Sequence, residues 1–172
     1  VIDIGPGIGS LSHLLVNKCE KLIMIEVDNK IAQLLKKLSL GKDNVEIHHA
    51  DFLKVDLEKL IGDKKVKACA NIPYNITSKI IERLIQVRHK IISFTLTMQK
   101  EVAERIVASP GTKTYGSISV FCQAFTNPTL CHIISPKVFW PQPKVESAVV
   151  RFDVVENKYD IPNEELFFKV VK

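Results

Sequence analysis

The chain opens on Val1-Ile2-Asp3-Ile4-Gly5-Pro6-Gly7-Ile8-Gly9-Ser10, and this stretch decides its fold. An apolar, strand-like run leads directly into alternating glycines, and a helical pattern of leucines follows. Glycine lets the backbone approach a ligand closely, and Ser10 is expected to be the N-cap of the helix. A strand, a glycine loop and a helix in this order predict the entrance to a nucleotide-type cofactor site.

The spacing of the glycines narrows the choice of ligand. The loop reads G-x-G-x-G, whereas the dinucleotide fingerprint reads G-x-G-x-x-G, and no Gly-Lys-Ser/Thr of a phosphate-binding P-loop is present. Neither NAD nor ATP is therefore the expected ligand. A loop of this kind also suits the amino-acid end of S-adenosylmethionine.

Acidic residues follow the next two predicted strands. The second strand, Leu22 to Glu26, continues into Val27 and Asp28, and the third, Val45 to His48, is followed by Ala50-Asp51-Phe52. Glu26 is placed to accept hydrogen bonds from ribose hydroxyls, and Asp51 could accept one from an adenine amino group. Taken singly, each acid is more often a solvated turn residue or a helix cap than a ligand contact. Together they indicate a ligand site at the carboxyl edge of a parallel sheet.

Asn71-Ile72-Pro73-Tyr74 follows a fourth candidate strand, Val66 to Ala70. An amide oxygen and nearby main-chain carbonyls can accept hydrogen bonds from an exocyclic amino group, while a tyrosine ring stacks on the base. The alternative is an ordinary strand-to-helix turn, in which Asn and Pro favour the bend and Tyr packs. The tetrapeptide gains weight from the glycines and acids that precede it.

Composition fits one α/β domain with an anionic partner. The 172 residues are 46% hydrophobic and carry a net charge of +5, which fits an anionic partner but is also common in proteins without a nucleic-acid role. Lys137 and Lys144 flank the aromatic pair Phe139-Trp140, as a stacking site for RNA would require. The four cysteines lack C-x-x-C spacing, so reduced thiols are expected and no metal site. No apolar run is long enough for a membrane span.

With these motifs in place, the chain resembles the ribosomal RNA adenine dimethyltransferase family. The matching stretches run in family order and cover almost the whole chain: Ile4 to Gly9, Ile25 to Asp28, Ala50 to Leu53, Asn71 to Ile76, Gln99 to Arg105, Tyr115 to Val120 and Phe139 to Val150. The Gln99 and Tyr115 stretches favour the bacterial-type enzyme of the small subunit. Members with Glu at the position of Asp3 and Leu at the position of Ile72 are more frequent.

The resemblance implies transfer of methyl groups from S-adenosyl-L-methionine to the N6 atoms of two adjacent adenosines in small-subunit ribosomal RNA. It implies an enzyme that acts on the immature small subunit as a monomer in the cytoplasm, or in an organelle of bacterial descent. The catalytic residues are then Asn71, Ile72, Pro73, Tyr74 and Phe139. The cofactor-binding residues are Asp3, Gly5, Pro6, Gly7, Gly9, Glu26, Val27, Asp51, Phe52 and Asn71.

Other functions remain open at this point. One is a large-subunit adenine N6-methyltransferase of the macrolide-resistance type, and another is a methyltransferase acting on DNA or protein. A third is a non-catalytic RNA-binding assembly or transcription factor with the same fold. The intact glycine loop, Glu26, Asp51 and Asn71 speak against loss of cofactor binding.

The predicted fold is a doubly wound, seven-stranded, Rossmann-like α/β domain. Its last two strands are antiparallel and lie near Thr129 to Ile134 and Ser147 to Asp153, and Ser117 to Phe125 is expected to be a helix. We expect residues 1–156 to be the catalytic domain, truncated at its N-terminus. Residues 157–172 are expected to be a linker and the truncated start of a helical RNA-contacting domain.

Overall fold

The chain folds into two compact units, Val1–Ile92 and Ser93–Lys172. The computed structural model describes residues 1–39, 41–71, 74–156 and 158–171. Ile72 and Pro73, two of the predicted catalytic residues, lie outside the described residues.

The first unit is built on four parallel strands. They are β1 (Ile2–Ile4), β2 (Leu22–Glu26), β3 (Val45–His49) and β4 (Val66–Asn71), in the order β3-β2-β1-β4. The chain thus moves outward from β1 to β3 and then returns to the other side of β1. This reversal is the topological switch point at which open α/β sheets bind ligands.

Helices follow each of the first four strands. They are α1 (Ser10–Leu15), α2 (Asn29–Leu38), α3 (Leu57–Ile61) and α4 (Thr77–Gln86). Short 3-10 turns cover Tyr74–Ile76 and Arg88–Lys90. Helix α2 begins where the Asp28 carboxylate accepts hydrogen bonds from the N–H groups of Lys30 and Ile31, at 2.8 and 3.1 Å. Asp28 is therefore a helix cap, one of the two ordinary roles that the sequence analysis gave for each acid taken singly.

Burial explains why these segments become strands and helices. Every residue of β1 and β2 is buried, as expected for central parallel strands. Helix α4 buries positions 77, 80, 81, 84 and 85, a spacing that puts one face of the helix against the core. Fully burying one of its Ile or Leu side chains stabilises the fold by about 1.5–3 kcal/mol.

The second unit contains antiparallel strands. Strand β5 (Ile91–Gln99) carries the chain into this unit, where β7 (Ser147–Val154) pairs with both β5 and β6 (Thr126–Ile134). The helices are α5 (Lys100–Val107), α6 (Ser117–Phe125) and α7 (Glu164–Val171), and a 3-10 turn covers Pro136–Val138. The predicted antiparallel strands and the predicted helix at Ser117–Phe125 are confirmed. The seven strands found among the described residues confirm the predicted fold class.

Phenylalanines form the centre of the second unit. Phe94 of β5 and Phe152 of β7 are cross-strand partners, and their stacked rings have centroids 4.5 Å apart. Such a pair adds about 0.5–1.5 kcal/mol beyond its burial. Phe168 of α7 contacts the rings of Phe121 and Phe125 in α6, with centroids 5.3 and 5.5 Å apart. Helix α7 is thus packed on α6, and the predicted domain boundary after residue 156 stays a prediction.

Two features are absent from the described residues. None of their helices is both long and apolar enough to cross a membrane. Over the same residues, no cluster of three or more His, Cys, Asp or Glu side chains is suited to hold a metal ion.

Candidate functional site

The glycine loop after β1 depends on left-handed backbone angles. Gly5, Gly7 and Gly9 have φ values of 62°, 55° and 88°, which cost a residue with a Cβ about 1–2 kcal/mol each. Gly9 is also the N-cap of α1, and its carbonyl accepts a hydrogen bond from the N–H of His13 at 2.8 Å. The prediction that Ser10 caps this helix is therefore wrong. Ser10 already belongs to the helix, and no side chain caps it.

The glycines differ in what surrounds them. A Cβ added at Gly9 would lie 3.1 Å from the side chain of Leu35, so this glycine lets α1 pack closely against α2. A Cβ added at Gly7 would meet nothing within 4 Å. Gly7 therefore borders open space, into which a ligand could approach the loop backbone.

Glu26 connects the end of β2 to this loop. One carboxylate oxygen accepts a hydrogen bond from the N–H of Gly7 at 3.1 Å, and the other accepts one from the N–H of Asp28 at 2.9 Å. The side chain is buried, with 5% of its surface exposed. Each carboxylate oxygen has a second lone pair, so Glu26 can still accept hydrogen bonds from the hydroxyls of a ligand.

Main-chain hydrogen bonds align three strand ends at one edge. The N–H of Gly5 donates to the carbonyl of Ile25, and the N–H of Ala50 donates to the carbonyl of Glu26, both at 2.9 Å. Asp51 follows β3 at this edge and is half-buried. One of its carboxylate oxygens accepts a hydrogen bond from the N–H of Leu53 at 3.0 Å, which fixes the turn. Its other oxygen lies 3.8 Å from the Nζ of exposed Lys54.

A buried polar pair lies beneath the loop, and the sequence analysis missed it. The Ser12 hydroxyl donates to an Asp3 carboxylate oxygen at 2.5 Å, and both residues are buried. Burial raises the pKa of Asp3 above its usual range, although hydrogen bonds from Ser12 and Cys69 oppose the rise. Burial, together with the negative charge of Asp3, raises the pKa of Cys69 to about 12. Asp3 thus ties α1 to β1, and Cys69 stays a thiol.

The residues after the acids have contrasting environments. Val27 is 66% exposed at the end of β2, whereas Phe52 is buried. The ring of His49 lies 3.1 Å from the carbonyl oxygen of Val27 and so supports the same turn. His49 was not among the predicted site residues. The contact joins residues 22 positions apart, which the sequence pattern does not reveal.

Asn71 reaches the same edge from the other side of β1. The register pairs Ile4 with Ala70, so Gly5 and Asn71 follow a matched pair in neighbouring strands. Asn71 is exposed at the last position of β4. Tyr74 is half-buried and opens the 3-10 turn before α4. The structure thus brings the glycine loop, Glu26, Asp51 and Asn71 to one edge of the first unit, as predicted.

Phe139 belongs to the second unit. It follows the 3-10 turn Pro136–Val138 and is half-buried, and its N–H donates to the carbonyl of Pro136 at 3.2 Å. Its predicted role, like the other residue roles, stays a prediction.

The edge of the first unit combines three kinds of hydrogen-bonding group. The loop backbone supplies N–H donors, Glu26 and Asp51 supply carboxylate acceptors, and Asn71 supplies an amide. A ligand with hydroxyls and an amino-bearing base, such as a nucleoside, matches these groups. The donor set therefore fits S-adenosylmethionine better than a metal ion or a bare phosphate.

Comparisons with known proteins agree with this chemistry. The family model described as "Ribosomal RNA adenine dimethylase" matches residues 1–172. A "Ribosomal RNA small subunit methyltransferase A" of Alkaliphilus oremlandii is 41% identical over 177 aligned residues, which include 100% of this chain. The match covers 62% of that relative, so the chain spans about three fifths of its length.

Solved structures share the fold. A dimethyladenosine transferase from Plasmodium falciparum is 30% identical with a TM-score of 0.79, and the match covers 97% of this chain and 57% of that one. The 23S rRNA methyltransferase ErmE is 24% identical with a TM-score of 0.83, and the match covers 99% of this chain and 67% of that one. The likeness to ErmE shows the fold alone.

Proposed function

The chain belongs to the ribosomal RNA adenine dimethylase family, and from this premise we propose that it methylates adenosine in ribosomal RNA. The reaction transfers methyl groups from S-adenosylmethionine to the N6 atoms of two adjacent adenosines of small-subunit RNA. The substrate is the immature small ribosomal subunit, and the enzyme acts as a monomer in the cytoplasm. The main support for the proposal is that the glycine loop, Glu26 and Asn71 converge at the carboxyl ends of neighbouring strands.

The residues at this edge fit the cofactor. The open space beside Gly7 admits the amino-acid end of the ligand, and the free lone pairs of Glu26 accept hydrogen bonds from ribose hydroxyls. Asp51 accepts a hydrogen bond from the adenine amino group, and exposed Val27 offers an apolar surface to the ring. When bound, S-adenosylmethionine supplies an electrophilic methyl group on its sulfonium sulfur.

The remaining task of the protein is to orient a weak nucleophile. The N6 amine of adenine is conjugated with its ring, so it attacks poorly until its lone pair turns out of the ring plane. In the first transfer, the side-chain oxygen of Asn71 accepts a hydrogen bond from one N6–H. A main-chain carbonyl of Ile72 or Pro73 is the proposed acceptor for the other, and together they hold the amine in that orientation. Tyr74 stacks on one face of the extruded base, and the family resemblance implies a base contact for Phe139 as well.

No dedicated general base is needed in this mechanism. Formation of the new carbon–nitrogen bond makes the amine proton acidic, so water can remove it afterwards. The buried carboxylate of Asp3 accepts a hydrogen bond from Ser12 of α1, so we assign it to supporting the cofactor site and not to removing the proton.

Calorimetric titration with S-adenosylmethionine tests the cofactor site. We expect saturable one-to-one binding by the chain, and loss of that binding in Glu26→Ala. Binding that is equally tight in the variant would contradict the proposed role of Glu26.

A competition among substrates tests the proposed target. We expect methyl transfer to immature small subunits in preference to large subunits, naked RNA and duplex DNA. Preferential transfer to large-subunit RNA would instead indicate the macrolide-resistance type of activity. Absence of transfer despite tight cofactor binding would contradict the proposed reaction.

A further inference from the structure

The segment 135–145 of the second unit presents an exposed tryptophan. Trp140 is 97% exposed, and Val138 and Val145 are also exposed, at 69% and 44%. Tryptophan side chains are largely buried in most proteins, because exposing their large apolar surface to water is unfavourable. A side chain of this size that stays almost fully exposed among the described residues indicates a surface that contacts a partner.

Along the chain, the charged residues next to Trp140 are positive. Lys137 and Lys144 are the only charged residues in the segment 135–145, and both are exposed. The nearest acidic residue along the chain is Glu146, whose carboxylate accepts a hydrogen bond from the Nζ of Lys100 at 2.8 Å. Because Glu146 is already paired, it does not neutralise Lys144. The partner of this surface is therefore expected to be an anion with a flat, apolar part.

The backbone of the segment is restrained. The Ser135 hydroxyl accepts a hydrogen bond from the N–H of Lys137 at 3.4 Å, which caps the 3-10 turn. Pro141 and Pro143 follow Trp140, and each fixes its own φ angle. The indole is thus presented on a stiffened chain, and less conformational entropy is lost when it binds.

Trp140 and Phe139 have different surroundings. Phe139 has extended backbone angles, φ −104° and ψ 148°, and is half-buried. Neighbouring side chains of an extended segment point to opposite sides, which agrees with the nearly complete exposure of Trp140. Phe139 and Trp140 are therefore expected to contact different bases.

We infer that Trp140 stacks on an unpaired base of the substrate RNA, while Lys137 and Lys144 bind the flanking phosphates. This inference rests on the proposed function and adds a second base-contacting position to it. Every nucleobase offers a flat face to an indole, and the phosphates on either side supply the negative charge that the lysines require.

Intrinsic fluorescence provides a direct test because Trp140 is the only tryptophan of the chain. The probe is a stem-loop RNA whose loop carries two adjacent unpaired adenosines, and the fully paired stem is the comparison. Stacking on a base is expected to quench the emission of Trp140 with the stem-loop and much less with the paired stem. Quenching that is equal for both RNAs, or absent at saturating stem-loop, would overturn the inference.

Variants separate stacking from charge. Trp140→Ala should weaken binding of the stem-loop at least about fivefold, and Trp140→Phe should restore most of the affinity. Val170→Ala, which removes another exposed apolar side chain (75% exposed), is the matched control and should change nothing. The double variant Lys137→Gln/Lys144→Gln should reduce the slope of log affinity against log salt by about 1.4, whereas Trp140→Ala should leave the slope unchanged.

The outcomes distinguish this inference from the proposed function. RNA binding that depends on Trp140, without any methyl transfer, would overturn the proposed function and support the inference. Normal methylation by Trp140→Ala, with unchanged RNA affinity, would overturn the inference alone. Trp140 emission that changes with protein concentration but not with added RNA would assign the surface to a contact between copies of the chain. This result too would overturn the inference.

Discussion

Replacement of Glu26 by Gln removes one oxygen of the carboxylate and keeps its shape. In the native protein each oxygen accepts one main-chain hydrogen bond, from Gly7 at 3.1 Å and from Asp28 at 2.9 Å. An amide has one oxygen and one NH2 group, so only one of these N–H donors keeps an acceptor. The other then faces a second donor in a buried position.

The magnitude follows from the two hydrogen bonds. An unsatisfied buried N–H costs about 1–3 kcal/mol, and the surviving bond loses about 1 kcal/mol because its acceptor is no longer charged. Removal of a buried charge offsets part of this loss. We expect a net decrease of about 2 kcal/mol in the free energy of unfolding, or a decrease of about 4–8 °C in Tm for a protein of this size. Loss of the charged acceptor for ribose should weaken S-adenosylmethionine binding at least about tenfold.

Asp28→Asn is the matched control. It removes the same charge two residues further on, but the asparagine oxygen can still accept the hydrogen bonds from Lys30 and Ile31 that cap α2. Urea denaturation and calorimetric titration of both variants at neutral pH measure the two effects. If Glu26→Gln were as stable as Asp28→Asn and bound the cofactor as tightly, the assigned role of Glu26 would be refuted.

Four further predictions test the loop, the buried acid and the target site. Gly9→Ala should lower the free energy of unfolding by about 2–3 kcal/mol, because the new Cβ combines a φ of 88° with a 3.1 Å contact, whereas Gly7→Ala should cost about 1 kcal/mol and mainly weaken cofactor binding. Urea denaturation and calorimetry distinguish these two variants, and equal destabilisation would contradict the contrast. Because the pKa of Asp3 is raised in the folded protein, protonated Asp3 contributes stability below about pH 4, and this contribution is lost as pH rises through the raised pKa. Asp3→Asn should therefore flatten this part of the plot of unfolding free energy against pH. A plot that runs parallel to that of the native protein would contradict the assignment. Asn71→Ala should lower kcat at least about tenfold with little change in cofactor affinity, and steady-state kinetics showing equal losses in both would argue against its role. Phe139→Ala should raise KM for RNA about fivefold or more at unchanged cofactor affinity, and a wild-type methylation rate would remove Phe139 from the site.

The strand ends could be predicted because local sequence specifies them. Apolar runs followed by Gly5, Glu26, Asp51 and Asn71 describe parallel strands with polar groups at their carboxyl ends, and parallel pairing then brings these ends together. This part of the site depends only on period and order, so it needs no knowledge of distant contacts.

The errors and omissions concern interactions that a linear pattern does not contain. Ser10 looked like the helix cap because serine is favoured there, but the left-handed backbone of Gly9 ends the loop one residue earlier. The hydrogen bond between Ser12 and Asp3 depends on how α1 packs over β1. The contact between the His49 ring and the Val27 carbonyl joins the ends of two neighbouring strands, β3 and β2. The exposure of Trp140 likewise follows from the folded second unit and could not be predicted from composition.

Analysis of the modified nucleosides tests the central claim most directly. Immature small subunits are incubated with the protein and isotopically labelled S-adenosylmethionine, and their RNA is digested and examined by mass spectrometry. The proposed function predicts labelled N6,N6-dimethyladenosine at two adjacent positions, with none formed by Asn71→Ala. Unlabelled small-subunit RNA under conditions in which the cofactor binds, or label on a base other than adenine, would contradict it.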